Sequence, residues 1–122
     1  RYEAASYYTK QLKAFDPEEK FFITPKELPN STHVYHQYTL KIKNGKRDEL
    51  KNFLADQGVP SMIYYPLPLQ EQEAFKPITR AGEALDNSRE CAYSVLSLPI
   101  HTEMTKEVQD AVISAIFKYY SL

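Results

Sequence analysis

Between His33 and Lys43 the residues alternate with a period of two. Val34, His36, Tyr38, Leu40 and Ile42 fall on one side, and Tyr35, Gln37, Thr39, Lys41 and Lys43 on the other. A pattern of that kind has a use only in an extended strand with one buried face, because successive side chains of a strand point to opposite sides. The chain is therefore committed to a sheet that something must cover. Asn44-Gly45 turns the backbone directly afterwards, and Leu50, Phe53 and Leu54 then recur at helical spacing until Gly58, which can take a left-handed conformation without steric cost. From Val59 to Tyr65 the residues again suit a strand. Pro60 fits its start or an edge, where no ladder donor is needed, and Pro66 and Pro68 stop it.

The flanks supply the cover. Ala5, Tyr8, Leu12 and Phe15 recur at steps of three and four, predicting a helix over 1–15 that ends before Asp16-Pro17. Pro17, Pro25 and Pro29 make residues 16–32 an irregular connector, with Phe21, Phe22 and Ile23 as candidates to touch the core. A loop through Lys76-Pro77 leads to Asp86. Asn87 or Ser88 is then expected to cap a helix with Cys91, Ala92, Val95 and Leu96 inward, and Ser97–Ile100 reads as a short third strand. Thr105 offers an N-cap for a last helix carrying Val108, Ala111, Val112, Ala115, Ile116 and Tyr119 on one face. Helices and strands thus alternate from first to last, which predicts one α/β domain over residues 1–122, a two-layer sandwich of the α+β kind whose helices mainly cover one face of a small sheet.

Composition removes some functions. With 122 residues, 43% of them hydrophobic and 25% charged, the chain can bury a core without disulfides or metal. A net charge of -1 gives no footprint for nucleic acid, and no apolar run is long enough to span a bilayer. The single Cys91 cannot pair within the chain, which suits a reducing cytoplasmic setting. The chain opens on Arg1, and its three glycines form no phosphate-cradling loop. Its histidines lie far apart, and His33 and His36 would point to opposite faces of a strand, so no metal site is expected. Taken together these features suggest a fragment of a longer protein, inert by itself.

Several segments in order resemble the carboxy-terminal small domain of DegT/StrS-type sugar aminotransferases. They are an opening helix with an arginine and tyrosines, the His36-Gln37-Tyr38 strand, Arg47-Asp48-Glu49-Leu50, the Gly58 turn, Tyr65-Pro66-Leu67-Pro68-Leu69, and Ser97-Leu98-Pro99 before the last helix. The resemblance covers nearly the whole chain. It implies a mainly antiparallel sheet like that of the small domain of fold-type I aminotransferases. It also implies a pyridoxal phosphate enzyme that moves an amino group from an amino-acid donor, glutamate by expectation, to a nucleotide-linked keto-sugar. The cofactor would sit on a larger domain outside this chain, and dimerisation is common among the complete enzymes. The family's strand histidine falls on His36, and its aromatic-Tyr-Pro motif on Tyr64, Tyr65 and Pro66. Many relatives have histidine where this chain has Tyr64 and Gln70, so the resemblance does not fix which sugar is preferred.

Each of these residues has a plainer reading. His36 beside Val34 and Tyr38 suits a hydrogen-bonded core histidine as well as a ligand contact. Tyr64 and Tyr65 can fill core space at a strand end, or can donate to sugar hydroxyls and diphosphate oxygens while their rings stack on a ring face. A proline-rich docking peptide is a third reading of that segment. Tyr119 and Tyr120 suit a core edge or a subunit interface, and Cys91 suits the core. The leading expectation is an aminotransferase fragment in amino-sugar or surface-polysaccharide synthesis, with His36, Tyr64 and Tyr65 binding substrate. The alternative is a free-standing α/β module that binds a ligand or protein without catalysis.

Overall fold

The computed structural model describes residues 1–79 and 85–122, so the part of the expected loop over 80–84 lies outside the described residues. Among the described residues four α-helices, α1 (Tyr2–Phe15), α2 (Arg47–Asp56), α3 (Asp86–Ser94) and α4 (Lys106–Tyr120), accompany three strands, β1 (Phe22–Ile23), β2 (Tyr38–Ile42) and β3 (Val95–Leu98). The sheet is antiparallel in the order β1-β2-β3, with Tyr38 opposite Leu98 and Phe22 opposite Ile42. The period-two pattern holds along β2, where Tyr38, Leu40 and Ile42 are buried and the residues between them are not. Tyr8 and Leu12 of α1, Leu50 and Leu54 of α2, and Val112, Ile113 and Ile116 of α4 join them in one core with Leu96 and Leu98. On the other face Lys41 reaches Glu90 of α3 at 2.7 Å, so three helices cover one side and α3 borders the other.

The strand is shorter than its pattern. Val34 is 77% exposed and Tyr35 only 2%, the reverse of the expected faces, and His36 is exposed rather than inward. The cause is local. Tyr35 has a φ of +46°, and its N–H donates to the His33 ring at 3.0 Å, so the backbone leaves the extended region and the two-residue period is lost. The Tyr35 hydroxyl donates instead to Glu27 at 2.7 Å, which ties down the connector.

The strand expected over 59–65 is also corrected. Only Met62 pairs, through an isolated bridge to Ser97 with bonds of 3.0 and 2.8 Å. The third strand of the sheet is instead β1, from the connector that the prolines marked as irregular. Its position depends on Asp16, 4% exposed, whose carboxylate accepts from the backbone N–H groups of Lys20, Phe21 and Phe22 at 2.8, 2.7 and 3.2 Å.

Around α3 the expectation moves by a few residues. The helix starts at Asp86 after Leu85 with no side-chain cap, so neither Asn87 nor Ser88 caps it. Val95 and Leu96 belong to β3, which leaves Ala92 as the buried residue of α3, and Cys91 is exposed rather than in the core. The end of α3 is held by Arg47, a buried residue whose guanidinium donates to the Ala92 carbonyl at 2.8 Å, a favourable cation at a helix C-terminus. For α4 the Thr105 cap is present, its hydroxyl accepting from the Val108 N–H at 3.3 Å. The buried face is Gln109, Val112, Ile113, Ala115 and Ile116, one step round from the expected one, with Val108 and Ala111 outside. The step has a reason: the Gln109 amide donates to the Ala4 carbonyl at 2.8 Å and locks α4 onto the first turn of α1. Thr105→Ala is expected to lower unfolding stability by about 1 kcal/mol, measured by denaturant titration.

Tyr119 and Tyr120 seal a core edge. Tyr120 stacks on Phe21 at 4.6 Å and Tyr119 meets Phe53 at 5.4 Å. Among the described residues no helix is long and apolar enough to cross a membrane.

Candidate functional site

The Met62–Ser97 bridge decides where the candidate residues end up. It pins the segment after Gly58, which has a φ of +75°, against the edge of β3 that faces away from β2. His36 stands just before β2, Tyr64 just beyond the bridge. A hollow of about 210 Å³ lies between them, with Gln37, Pro60, Ser61, Met62 and Ser97–Ile100 as its remaining walls. Its floor is firm. Tyr8 donates to the Pro99 carbonyl at 3.0 Å, and the Thr39 and Ser97 hydroxyls bond each other at 2.8 Å. Burial first, and Tyr38 second, pushes the Tyr8 phenol well above its ordinary pKa; burial does the same to Tyr38. Both stay neutral at working pH and serve as hydrogen-bond partners, not as acids.

At the rim, Arg1 donates to the His36 carbonyl at 2.9 Å, and its guanidinium lies 3.4 Å from His36 Nδ1. The imidazole is thus held from behind at an exposed position. Tyr64 is 39% exposed and Tyr65 73%; the peptide between them is cis, and their rings stand 5.8 Å apart, nearly edge to face. Tyr64 also borders a second, larger hollow of about 560 Å³. Tyr65 lines that one, with Leu67–Leu69 as an apolar wall and Gln72, Asn87 and Ser88 as polar groups, and the exposed Cys91 lines it too. The structure thus joins His36 with Tyr64 in one hollow and Tyr64 with Tyr65 in the other. It does not put His36 and Tyr65 in the same hollow.

Sequence reasoning missed Ser61, Gln37 and Arg1 as parts of this neighbourhood. Ser61 carried no visible signal, since only the bridge at Met62 reveals that it faces a hollow. Arg1 was visible only as part of a family pattern.

A chain with this architecture can be matched to known proteins. The profile described as the DegT/DnrJ/EryC1/StrS aminotransferase family matches residues 1–117. The chain belongs to this aminotransferase family. It is 38% identical over 120 residues to a protein of Geobacillus stearothermophilus named pleiotropic regulatory protein, covering 98% of this chain and 31% of that protein. It is 29% identical to the dTDP-3-amino-3,6-dideoxy-alpha-D-galactopyranose transaminase of Aneurinibacillus thermoaerophilus, covering 98% of this chain and 30% of that protein. Among solved structures, NtdA of Bacillus subtilis with bound cofactor PMP superposes with a TM-score of 0.86 at 25% identity, covering all of this chain and 28% of that one. This family member therefore spans about a third of the length of the curated relatives it matches.

Pyridoxal phosphate, the cofactor that the family implies, needs a lysine amine for its Schiff base and a polar cradle for its phosphate. Neither hollow is lined by a lysine or a carboxylate among the described residues, so the donor set here does not fit the cofactor. What the site offers is imidazole, phenol, amide and hydroxyl groups beside apolar walls, a set suited to a polyhydroxylated ligand.

Proposed function

We propose that this chain is the carboxy-terminal small domain of an aminotransferase acting on a nucleotide-linked keto-sugar, and that His36, Tyr64 and Tyr65 contact that substrate. The observation that carries the proposal is the pair of hollows sharing Tyr64. The larger, at about 560 Å³, has the size and mixed lining of a small-molecule site, and the smaller, at about 210 Å³, suits a piece the size of one sugar ring. The transaminase named for a dTDP-linked amino-sugar supports the substrate class. We extend the reading to a pyridoxal phosphate-dependent, cytoplasmic homodimer that takes nitrogen from an amino acid such as glutamate. The cofactor would be bound by polypeptide outside this chain.

In this reading the chain breaks no bond of the substrate. His36, held by Arg1 through its carbonyl, presents its imidazole to a sugar hydroxyl. Tyr64 offers its phenol between the two hollows, and Tyr65 lays a ring along the larger one. Such contacts fix the orientation of the sugar carbonyl, which is where positioning lowers a barrier. The exposed apolar side chains of the same segment support burial against the rest of the enzyme. Met62, Tyr65, Leu67, Leu69, Phe75 and Ile78 are all exposed, and a run of that kind marks a surface that something covers.

Steady-state kinetics of the full-length enzyme test the proposal. Tyr64→Phe removes one neutral hydrogen bond and is expected to raise KM for the keto-sugar about threefold to tenfold, leaving KM for the amino donor unchanged. Unchanged sugar kinetics in both Tyr64→Phe and His36→Ala would exclude this face as the sugar site, and the free-standing binding module would take over.

A further inference from the structure

Ser61 is 7% exposed, and its hydroxyl has no hydrogen-bond partner. Buried side-chain hydroxyls nearly always have one, since leaving such a group unpaired costs more than a hydrogen bond ordinarily gains. The neighbouring groups explain why none is at hand. Met62 spends both its N–H and its carbonyl on Ser97, and the Ser97 and Thr39 hydroxyls bond each other. Among the buried polar atoms without partners in the described residues, Ser61 Oγ alone belongs to a residue lining a hollow with candidate site residues. That hollow is lined by His36, Gln37 and Tyr64, with the half-buried Ile100 among its apolar walls.

We propose that Ser61 is a substrate-binding residue whose hydroxyl, unpaired in the free protein, pairs with a hydroxyl of the sugar seated in the smaller hollow. The inference rests on the proposed function and adds the residue that anchors the ring there. A sugar hydroxyl both donates and accepts, so it matches a serine hydroxyl in either sense, and the C–H face of a pyranose suits the apolar Ile100. The backbone is fixed on both sides, by Pro60 before and the Ser97 bridge after, so Ser61 itself gives up little more than rotation about one side-chain bond on binding.

The experiment compares Ser61→Ala and Tyr64→Phe with the parent in the full-length enzyme. Calorimetric titrations use two unreactive probes, dTDP-glucose and UDP-N-acetylglucosamine, with dTDP and UDP alone as controls, and thermal melts are recorded without ligand. Removing an unpaired hydroxyl is expected to leave the melting temperature unchanged or slightly higher. The dissociation constant of the hexose nucleotide should rise about threefold to tenfold, with the bare nucleotide unaffected. A lower melting temperature would mean that the hydroxyl is bonded inside the protein, by water or by backbone, and would overturn the inference. So would unchanged binding in Ser61→Ala alongside weakened binding in Tyr64→Phe, an outcome that leaves the proposed function standing. Unaltered binding in both variants, or no hexose-nucleotide binding by the parent, overturns that function and the inference with it.

Discussion

Raising the pH above 10 is expected to unfold the chain well before its ordinary side chains would demand it. Burial, the largest cause in each case, raises the phenol pKa of Tyr8, Tyr38 and Tyr120 far above the usual value of 10.0, and takes Tyr35 and Tyr119 to about 12. A group whose folded pKa exceeds its unfolded one loses its proton first in the unfolded chain. The stability tied to the neutral phenols is therefore intact below pH 10 and drains away as the pH climbs through 12. Every tenfold difference in proton affinity between the folded and unfolded chain corresponds to about 1.4 kcal/mol. Each phenol held neutral in this way adds its own share to the loss of stability at alkaline pH. Melts recorded between pH 8 and pH 12, with phenolate absorbance followed alongside, should show a flat stability that falls steeply from about pH 10. A midpoint that does not move over that range would mean that these phenols are not buried as described.

Asp16→Ala is expected to cost about 2–4 kcal/mol, more than most single substitutions, because the buried carboxylate accepts from three backbone N–H groups at once, the buried Phe22 N–H among them. Asp16→Asn should cost less, since one amide oxygen can still accept. The effect should be spatially specific. Amide exchange ought to speed up first at Phe22 and at Lys43, whose N–H bonds the Phe21 carbonyl at 2.9 Å. Denaturant titration that finds Asp16→Ala as stable as its parent would show that β1 does not depend on this carboxylate.

These two predictions also mark where the sequence was readable. The alternation over Tyr38–Ile42 and the helical spacing of Tyr8, Leu12, Val112 and Ile116 reflect regular geometry, and regular geometry leaves a periodic trace. Asp16 left none. In the sequence it is a residue before a proline, and its role depends on three amides that only the folded connector brings to it. The same holds for Tyr35, where one left-handed residue turned His36 from the core to the rim. The outward placement favours the functional reading over the core reading, because an exposed histidine is available to a ligand. Cys91 moved outward for a related reason. A helix that stops at Ser94 cannot share one face with residues that have become a strand. The three residues proposed for the site were singled out through the family pattern. Their division between two hollows, and the presence of Ser61 beside them, depends on a single bridge between Met62 and Ser97 that no periodicity announces.

We propose that this chain forms a wall of the sugar site in a longer aminotransferase. Hydrogen-exchange mass spectrometry of the full-length enzyme, with and without saturating nucleotide-linked amino-sugar, tests it most directly. The account predicts added protection in the peptides covering residues 33–40 and 58–72, with the outer turns of α4 unchanged. Protection confined to other parts of the enzyme, with those two peptides exchanging as before, would contradict it.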